Sequence, residues 1–242
     1  MRIYEYNFGG NTIIEEYISG DEFSVEAISL NSKHKILAIT RKFINEKSLV
    51  EIGHVLPAEL GKDEQDKIEK IVTKLLDHIG VKNGPTHTEV KRQGNNVYVI
   101  ETHLRVGGDK IPLLLKNYSG IDLYNVYSEI ISNEYDSVNE LVNGDSNILI
   151  ENRSTAIWFL HQDVEQPEII SSISGVEEAT QLVGCVEVNI GKKVGDIIKP
   201  VGHSIDRIGY VIFDGHNENE ALSRAKNAAN LINVKYKSNN DE

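Results

Sequence analysis

Two short segments with alternating side chains flank a Gly-Asn-Asn sequence in the first half of the chain. Residues 86–93 read THTEVKRQ and residues 97–103 read VYVIETH. Successive residues of a β-strand point to opposite faces, so each segment can present one polar row. A turn of Gly94-Asn95-Asn96 between them predicts an antiparallel hairpin. A three-residue turn pairs Gln93 with Val97.

The predicted hairpin brings four ligand-type side chains together. Continuing that register places Glu89 opposite Glu101 and His87 opposite His103. Opposed carboxylates repel each other and raise each other's pKa unless a cation lies between them. The pattern therefore gives a physical reason for a divalent ion, although a solvated row on an exposed hairpin is the plainer alternative.

Two kinds of metal site are compatible with these residues. All four side chains together predict a His/Glu site for zinc or iron. The carboxylates alone predict a Mg²⁺ site, which keeps waters and binds substrate phosphates. Arg105 and the adjacent Gly107-Gly108 favour the second kind, because they suit a phosphate or another anion better than a closed metal centre.

Composition limits the class of protein. The 242 residues are 40% apolar and 26% charged, which is typical of an ordinary globular chain with one large domain or two small ones. A net charge of -12 argues against nucleic acid or an anionic membrane as the partner. The single cysteine, Cys185, excludes an intramolecular disulfide and suits a reducing compartment. With no apolar run near the ~20 residues of a membrane span, we expect a cytoplasmic protein.

Local patterns predict strands and helices in an α+β arrangement. Apolar and β-branched runs predict strands at 12–18, 23–30, 36–41, 49–56, 154–160, 183–189 and 207–213. Helical spacing predicts helices from Asp63 to Gly80, near 121–134, and from an Asn217 cap onwards. The polar stretch 135–149 is the candidate boundary between a domain at 1–134 and a small α+β domain at 150–236.

Four segments, in order, resemble a known family. They read TIIEEYISGDEFSVEAIS, EIGHVLPAEL, IGVKNGPTHTEVK and VIETHLRVGGDKIP. This series resembles the C-terminal half of an ATP-grasp domain, in the carboxylate–amine ligase branch that includes bacterial L-amino-acid (dipeptide) ligases. The resemblance covers residues from about 12 to 125. Residues 150–234 resemble, less specifically, the small α+β domain that follows ATP-grasp in this branch.

The resemblance implies roles for individual residues. Those with an implied nucleotide contact are Glu15, Glu16, Tyr17 and Ile18 in a hinge that receives adenine, Glu22 at the ribose, and Lys42 at a phosphate. Glu89 and Glu101 correspond to the ligands of Mg²⁺, or of Mn²⁺ in its place. Arg105 corresponds to the arginine that stabilises charge during the reaction, and His54 to a histidine near phosphate and substrate.

The sequence departs from the family pattern in two ways. His103 occupies a position where the family usually has a metal-ligating Asn, and imidazole is a poorer Mg²⁺ ligand than an amide oxygen. The resemblance also covers only the back half of the enzyme. We therefore expect an N-terminal half, with the lysines and glycine-rich loop that cover the phosphates, to be supplied in cis or in trans.

These expectations lead to a functional hypothesis with two alternatives. The hypothesis is an ADP-forming carboxylate–amine ligase that uses ATP, an acyl-phosphate intermediate and small-molecule carboxylate and amine substrates. One alternative is a non-catalytic nucleotide-binding or regulatory module of the same fold, and the other is a His/Glu metalloprotein. A homodimer is compatible with all three.

Overall fold

The structure is a computed structural model, and it describes residues 14–144, 153–162 and 164–238. The strands are β1 (Asp21–Leu30), β2 (Lys33–Ile44), β3 (Glu51–Leu56), β4 (Gly84–Gln93), β5 (Asn96–His103), β6 (Ser154–Leu160), β7 (Glu168–Ser174), β8 (Cys185–Ile190), β9 (Ile197–Ile198), β10 (Gly209–Gly215) and β11 (Asn233–Ser238). The helices are α1 (Lys62–His78), α2 (Ile111–Ser119), α3 (Leu123–Ser132), α4 (Asp136–Asn143), α5 (Val176–Thr180) and α6 (Glu218–Leu231), with a short 3₁₀ helix at Ser204–Asp206.

Eight strands form the main sheet, in the order β5-β4-β1-β2-β3-β6-β10-β8. A second sheet has the order β11-β7-β9, and the described strand pairs of both sheets are antiparallel. The α+β class with an antiparallel sheet is confirmed. The main sheet runs across the boundary near 135–149, because β6 pairs directly with β3. The division into two domains, 1–134 and 150–236, stays a prediction, and residues 1–13, 145–152 and 163 lie outside the described part.

The two faces of the main sheet are covered differently. Helix α1 packs Ile68, Val72 and Leu76 on one face, against apolar residues of β1 and β4 such as Phe23 and Val90. On the opposite face, α2, α3 and α4 form a second core with the C-terminal part of β1, with β6 and with β10. The remaining part of that face, over the N-terminal part of β1, carries polar side chains instead. Burial on both sides of the sheet fixes which strand residues face this polar region.

Helix α6 attaches the C-terminal strands to the sheet. It begins where predicted, at Asn217, whose side chain accepts a hydrogen bond from the Glu220 amide. Small residues at helical spacing, including Ala221 and Ala225, let it lie closely against β6 and β10. The buried Glu218 accepts from the Arg41 guanidinium and from the backbone amide of residue 59. This contact ties the start of α6 to β2 and to the chain after β3.

The hairpin differs from its predicted turn but keeps the predicted pairs. Gln93 pairs with Asn96 across a two-residue turn, so the three-residue turn was wrong. A β-bulge at Glu89/Val90 then shifts the register by one residue. Beyond the bulge, Glu89 lies opposite Glu101 and His87 lies opposite His103, as predicted.

Other local predictions need correction. Residues 14–18 do not form a strand, since they are largely exposed and pair with no described strand; residues 12 and 13 lie outside the described part. Strand propensity without a pairing partner does not make a strand. Residues 136–143 form α4, because Val138 is buried in the core beneath the sheet. The small second sheet was missed. No helix within the described ranges is both long and apolar enough to span a bilayer.

Candidate functional site

The register of the strands brings the charged side chains of the polar region together. Glu22 pairs with Lys42 on β2 and with Lys91 on β4. Two residues further along β1, Ser24 pairs with Glu89, and after another two residues Glu26 pairs with His87. Alternation along each strand turns these side chains to one face. The sequence thus collects acidic and basic groups from three adjacent strands, together with His54 from β3.

Lys42 lies at the centre of this region. Its Nζ is 2.5 Å from Glu89 Oε1, 3.2 Å from Glu51 Oε1 and 3.3 Å from Glu22 Oε1. Burial opposes the charge of the ammonium, but the carboxylates of Glu89, Glu51 and Glu22 still raise the pKa of Lys42. An ammonium has three N–H donors, and three carboxylates surround this one. To meet a phosphate, as predicted, Lys42 would have to exchange one of these partners.

His87 is held between two carboxylates. Its Nδ1 is 2.7 Å from Oε1 of the fully buried Glu26, and its Nε2 is 3.3 Å from Glu89 Oε1. Burial by itself would lower the pKa of His87, yet the two carboxylates raise it to about 9. Burial would likewise raise the pKa of Glu89, but His87 and Lys42 lower it to about 2. Glu89 is therefore ionised at neutral pH and held from two sides.

The partner strand contributes a more open pair. The His103 Nε2 is 3.0 Å from Glu101 Oε1, and the Glu101 side chain is about half exposed. The rings of His103 and His87 stack at 6.3 Å between centroids, with 14° between their planes. The departure from the family pattern at His103 therefore places an imidazole, instead of an amide, in contact with Glu101 of the same strand.

The described residues fit an oxygen-ligand metal site better than a four-ligand cage. Both ring nitrogens of His87 already face carboxylates. Within the described ranges, no group of three or more His, Cys, Asp and Glu side chains is arranged to hold a metal ion. Glu89 and Glu101 remain as two facing carboxylates on adjacent strands. In a typical Mg²⁺ site the protein supplies one or two carboxylate ligands, and substrate phosphates and waters supply the others.

His54 lies behind this region in a dry environment. It is fully buried, and neither of its ring nitrogens has a hydrogen-bond partner among the described residues. Its Nε2 is 3.5 Å from Asp109 Oδ2, which is longer than a normal hydrogen bond. Burial lowers the pKa of His54, so the ring is neutral at pH 7. A neutral imidazole has one donor and one acceptor nitrogen.

The loop after β5 carries Arg105 and closes against the site. Arg105 is exposed, and its Nη1 donates only to the carbonyl of Val106 within the described residues, at 2.9 Å. Gly107 packs on the His87–Glu26 pair, where an added Cβ would lie 2.8 Å from the imidazole. Asp109 and the residue after it both have positive φ, at 48° and 65°. Such strain in non-glycine residues is typical of functional loops.

The predicted adenine hinge lies on the surface. Glu15, Glu16 and Tyr17 are exposed, and Ile18 is partly buried. The ring of Tyr17 lies 5.0 Å from the Lys91 ammonium, which in turn contacts Glu22. The structure thus brings Glu22, Lys42, Glu89 and His54 into one region, with the hinge beside Glu22 and Arg105 at the far edge.

Sequence reasoning missed four residues of the site. They are Glu26, Glu51, Asp109 and Arg207. Glu26 could have been found, because an acidic residue in the apolar strand FSVEAISL needs a cationic partner. Glu51 and Arg207 lie far apart in sequence and meet only through the strand order β3-β6-β10.

Two families of domains match the chain. The ATP-grasp domain matches residues 3–112, and L-amino acid ligase C-terminal domain 2 matches residues 164–237. A D-alanine–D-alanine ligase of Rickettsia typhi is 30% identical over 139 residues, which are 53% of this chain and 42% of that protein. The chain thus spans less than half the length of this curated relative.

Solved structures share the fold. An L-amino acid ligase from Bacillus licheniformis superimposes with a TM-score of 0.76 at 23% identity. A phosphoribosylglycinamide synthetase from Anaerococcus prevotii superimposes with a TM-score of 0.77, also at 23% identity. Each match covers 92% of this chain and 55% of the other. The chain thus joins a segment that matches the ATP-grasp domain to a segment that matches L-amino acid ligase C-terminal domain 2, and it shares the fold of these solved ligases.

Proposed function

We propose that this chain is the metal- and phosphate-binding part of an ATP-dependent carboxylate–amine ligase. One observation carries the proposal: Glu89 and Glu101 face each other across β4 and β5, and Glu89 is kept ionised by buried cations. Paired carboxylates beside an anion-binding loop serve phosphoryl transfer, in which positioning and charge neutralisation do most of the work. The D-alanine and L-amino acid ligases that this chain resembles support the same class.

Each residue of the site has a role in this proposal. Glu89 and Glu101 hold Mg²⁺ or Mn²⁺ together with the phosphates of ATP. The ion neutralises charge on the phosphates when bound. Glu22 receives the ribose, with the hinge at 15–18 receiving adenine beside it. Arg105, exposed at the edge of the site, stabilises charge that develops on the reacting groups.

The proposed reaction has two steps. A substrate carboxylate attacks the γ-phosphate of ATP to give an acyl phosphate and ADP, and an amine then displaces phosphate to form a C–N bond. Lys42 contacts Glu89, and His54 pairs with Lys42 across β2 and β3, which supports the proposal that these two residues act on a phosphate or the substrate. We further propose that an N-terminal region, in cis or in trans, supplies the rest of the nucleotide pocket, and that the reaction takes place in the cytoplasm.

Binding of Mn²⁺ in the presence of ADP tests the proposal. Electron paramagnetic resonance counts free Mn²⁺ during a titration of the chain. We expect Glu89→Gln and Glu101→Gln each to weaken Mn²⁺ binding by at least about tenfold, since outer-shell changes alone cost that much. Glu134→Gln, an exposed change in the helical region away from the site, is the control. Equal Mn²⁺ affinity in the wild type and Glu89→Gln would refute the assignment.

A further inference from the structure

Arg207 reaches into the site from the C-terminal part of the chain. It follows the 3₁₀ helix and precedes β10, and its side chain is only 7% exposed. Its Nη1 is 2.9 Å from Asp109 Oδ2, and its Nη2 is 3.1 Å from Glu51 Oε2. One guanidinium thus joins two carboxylates from separate elements, the loop after β5 and the first residue of β3.

An aromatic ring fixes the plane of this guanidinium. The Arg207 Cζ lies 3.8 Å from the centroid of the Phe159 ring on β6. Phe159 also meets His54 edge to face, at 5.5 Å between ring centroids. A planar, stacked fork holds two acceptors in fixed directions, which a flexible ammonium does not do. The geometry therefore selects arginine rather than a general positive charge.

Both carboxylates lead onward to groups of the proposed site. The second oxygen of Glu51 lies 3.2 Å from the Lys42 ammonium, which lies 2.5 Å from Glu89 Oε1. Positive and negative side chains thus alternate along a series of contacts, which runs through Arg207, Glu51, Lys42 and the proposed metal ligand Glu89. On the other side, Asp109 lies in the loop that carries Arg105 and has a positive φ of 48°, and its carboxylate is held there by Arg207.

We propose that Arg207 is a positioning residue through which the C-terminal domain sets the geometry of the metal and phosphate site. Its Nη1 holds the loop of residues 104–110, and its Nη2 holds Glu51 and, through it, the contact of Lys42 with Glu89. The inference rests on the proposed function in so far as Glu89 binds the metal. The contact of Arg207 with Asp109 in this loop does not depend on the proposed function.

A purely electrostatic role and a positioning role of Arg207 predict opposite changes in cation affinity when Arg207 is replaced. If Arg207 acted only as a nearby positive charge, its removal would make the site more negative by one charge and strengthen cation binding. A positioning role predicts weaker binding, because Lys42 and Glu89 lose their fixed arrangement. It also predicts that lysine does not restore binding, since lysine keeps the charge and loses the fork.

The experiment compares Arg207→Met and Arg207→Lys with Arg224→Met. Arg224 is the control, because it too bridges two acceptors in the C-terminal region, although one of them is a backbone carbonyl: the Glu220 carboxylate and the Asp214 carbonyl. Hydrogen exchange of residues 104–110 is measured by mass spectrometry, and Mn²⁺ affinity with ADP is measured by electron paramagnetic resonance. Circular dichroism checks folding, and Asp109→Asn replaces Arg207→Met if the latter does not fold.

We expect both Arg207 variants to exchange faster in residues 104–110 and to bind Mn²⁺ about tenfold more weakly, with Arg224→Met unchanged in both. Unchanged exchange in this loop, or wild-type Mn²⁺ affinity in Arg207→Lys, would overturn the proposal. A wild-type chain that binds no Mn²⁺ with ADP would overturn the proposed function instead. Loop exchange would then still decide whether Arg207 positions residues 104–110.

Discussion

The charge on His87 makes a quantitative prediction about stability and pH. The carboxylates of Glu26 and Glu89 raise the pKa of His87 from 6.5 to about 9, against the opposing effect of burial. A proton that binds the folded chain more tightly than the unfolded chain stabilises the fold. The stabilisation is complete below pH 6.5, declines as the pH rises, and is lost above about pH 9.

The size of the effect follows from the two pKa values. The difference between about 9 and 6.5 corresponds to about 3–4 kcal/mol, at about 1.4 kcal/mol for each pKa unit. His87→Asn removes the titrating group while keeping a polar side chain of similar length. The free energy of unfolding of the wild type, minus that of His87→Asn, should therefore fall by about 3 kcal/mol between pH 6 and pH 9.5.

Urea denaturation at a series of pH values measures this difference. Trp158 is the only tryptophan, and it packs on Phe43 in the main sheet, so its fluorescence reports unfolding of the sheet. Groups that titrate equally in both proteins cancel in the difference curve. A difference that stays constant across this pH range would show that His87 is not held as a cation, and the argument for the buried Glu26–His87 pair would fail.

Two further changes probe the same region. Gly107→Ala places a methyl group 2.8 Å from the His87 ring. We therefore expect a lower melting temperature and a free energy of unfolding that falls by about 1–3 kcal/mol. The control is Gly108→Ala, whose added methyl group meets no described atom within 4 Å and leaves packing unaffected. Equal melting temperatures for the two variants would contradict the close packing of the loop. Lys42→Met leaves three carboxylates without their shared cation. Urea denaturation at pH 7 should therefore show that the free energy of unfolding falls by about 3–5 kcal/mol. A decrease of less than about 1 kcal/mol would mean that water already screens these carboxylates.

The hairpin shows how a correct pairing was reached through an incorrect turn. The predicted three-residue turn and the observed two-residue turn differ by one residue. The bulge at Glu89/Val90 adds one residue back, so Glu89 still lies opposite Glu101. Turn residues and ligand spacing are local properties and can be interpreted from sequence. A bulge depends on how the strand fits its neighbours, so no local signal announced it.

The segment at 14–18 shows the limit of propensity. Its isoleucines and tyrosine predict a strand, but the described chain offers no neighbouring strand there, and Ile14 and Tyr17 are exposed. Strand formation depends on pairing and burial more than on residue type. By contrast, α6 begins at its predicted cap, because the Asn217 side chain bonds to an amide only three residues away.

The amino-acid pattern alone predicts two carboxylates on a hairpin, with an arginine and two glycines just after it, and contains motifs that resemble ATP-grasp. Which charged side chains lie in contact depends on the three-dimensional packing of the strands. Lys42 meets Glu51 and Glu89 through strand order, and Arg207 meets Glu51 from more than 150 residues away, with a separation of 156 in the chain. Charge pairs of this kind depend on distance in space, and a linear pattern does not contain that distance.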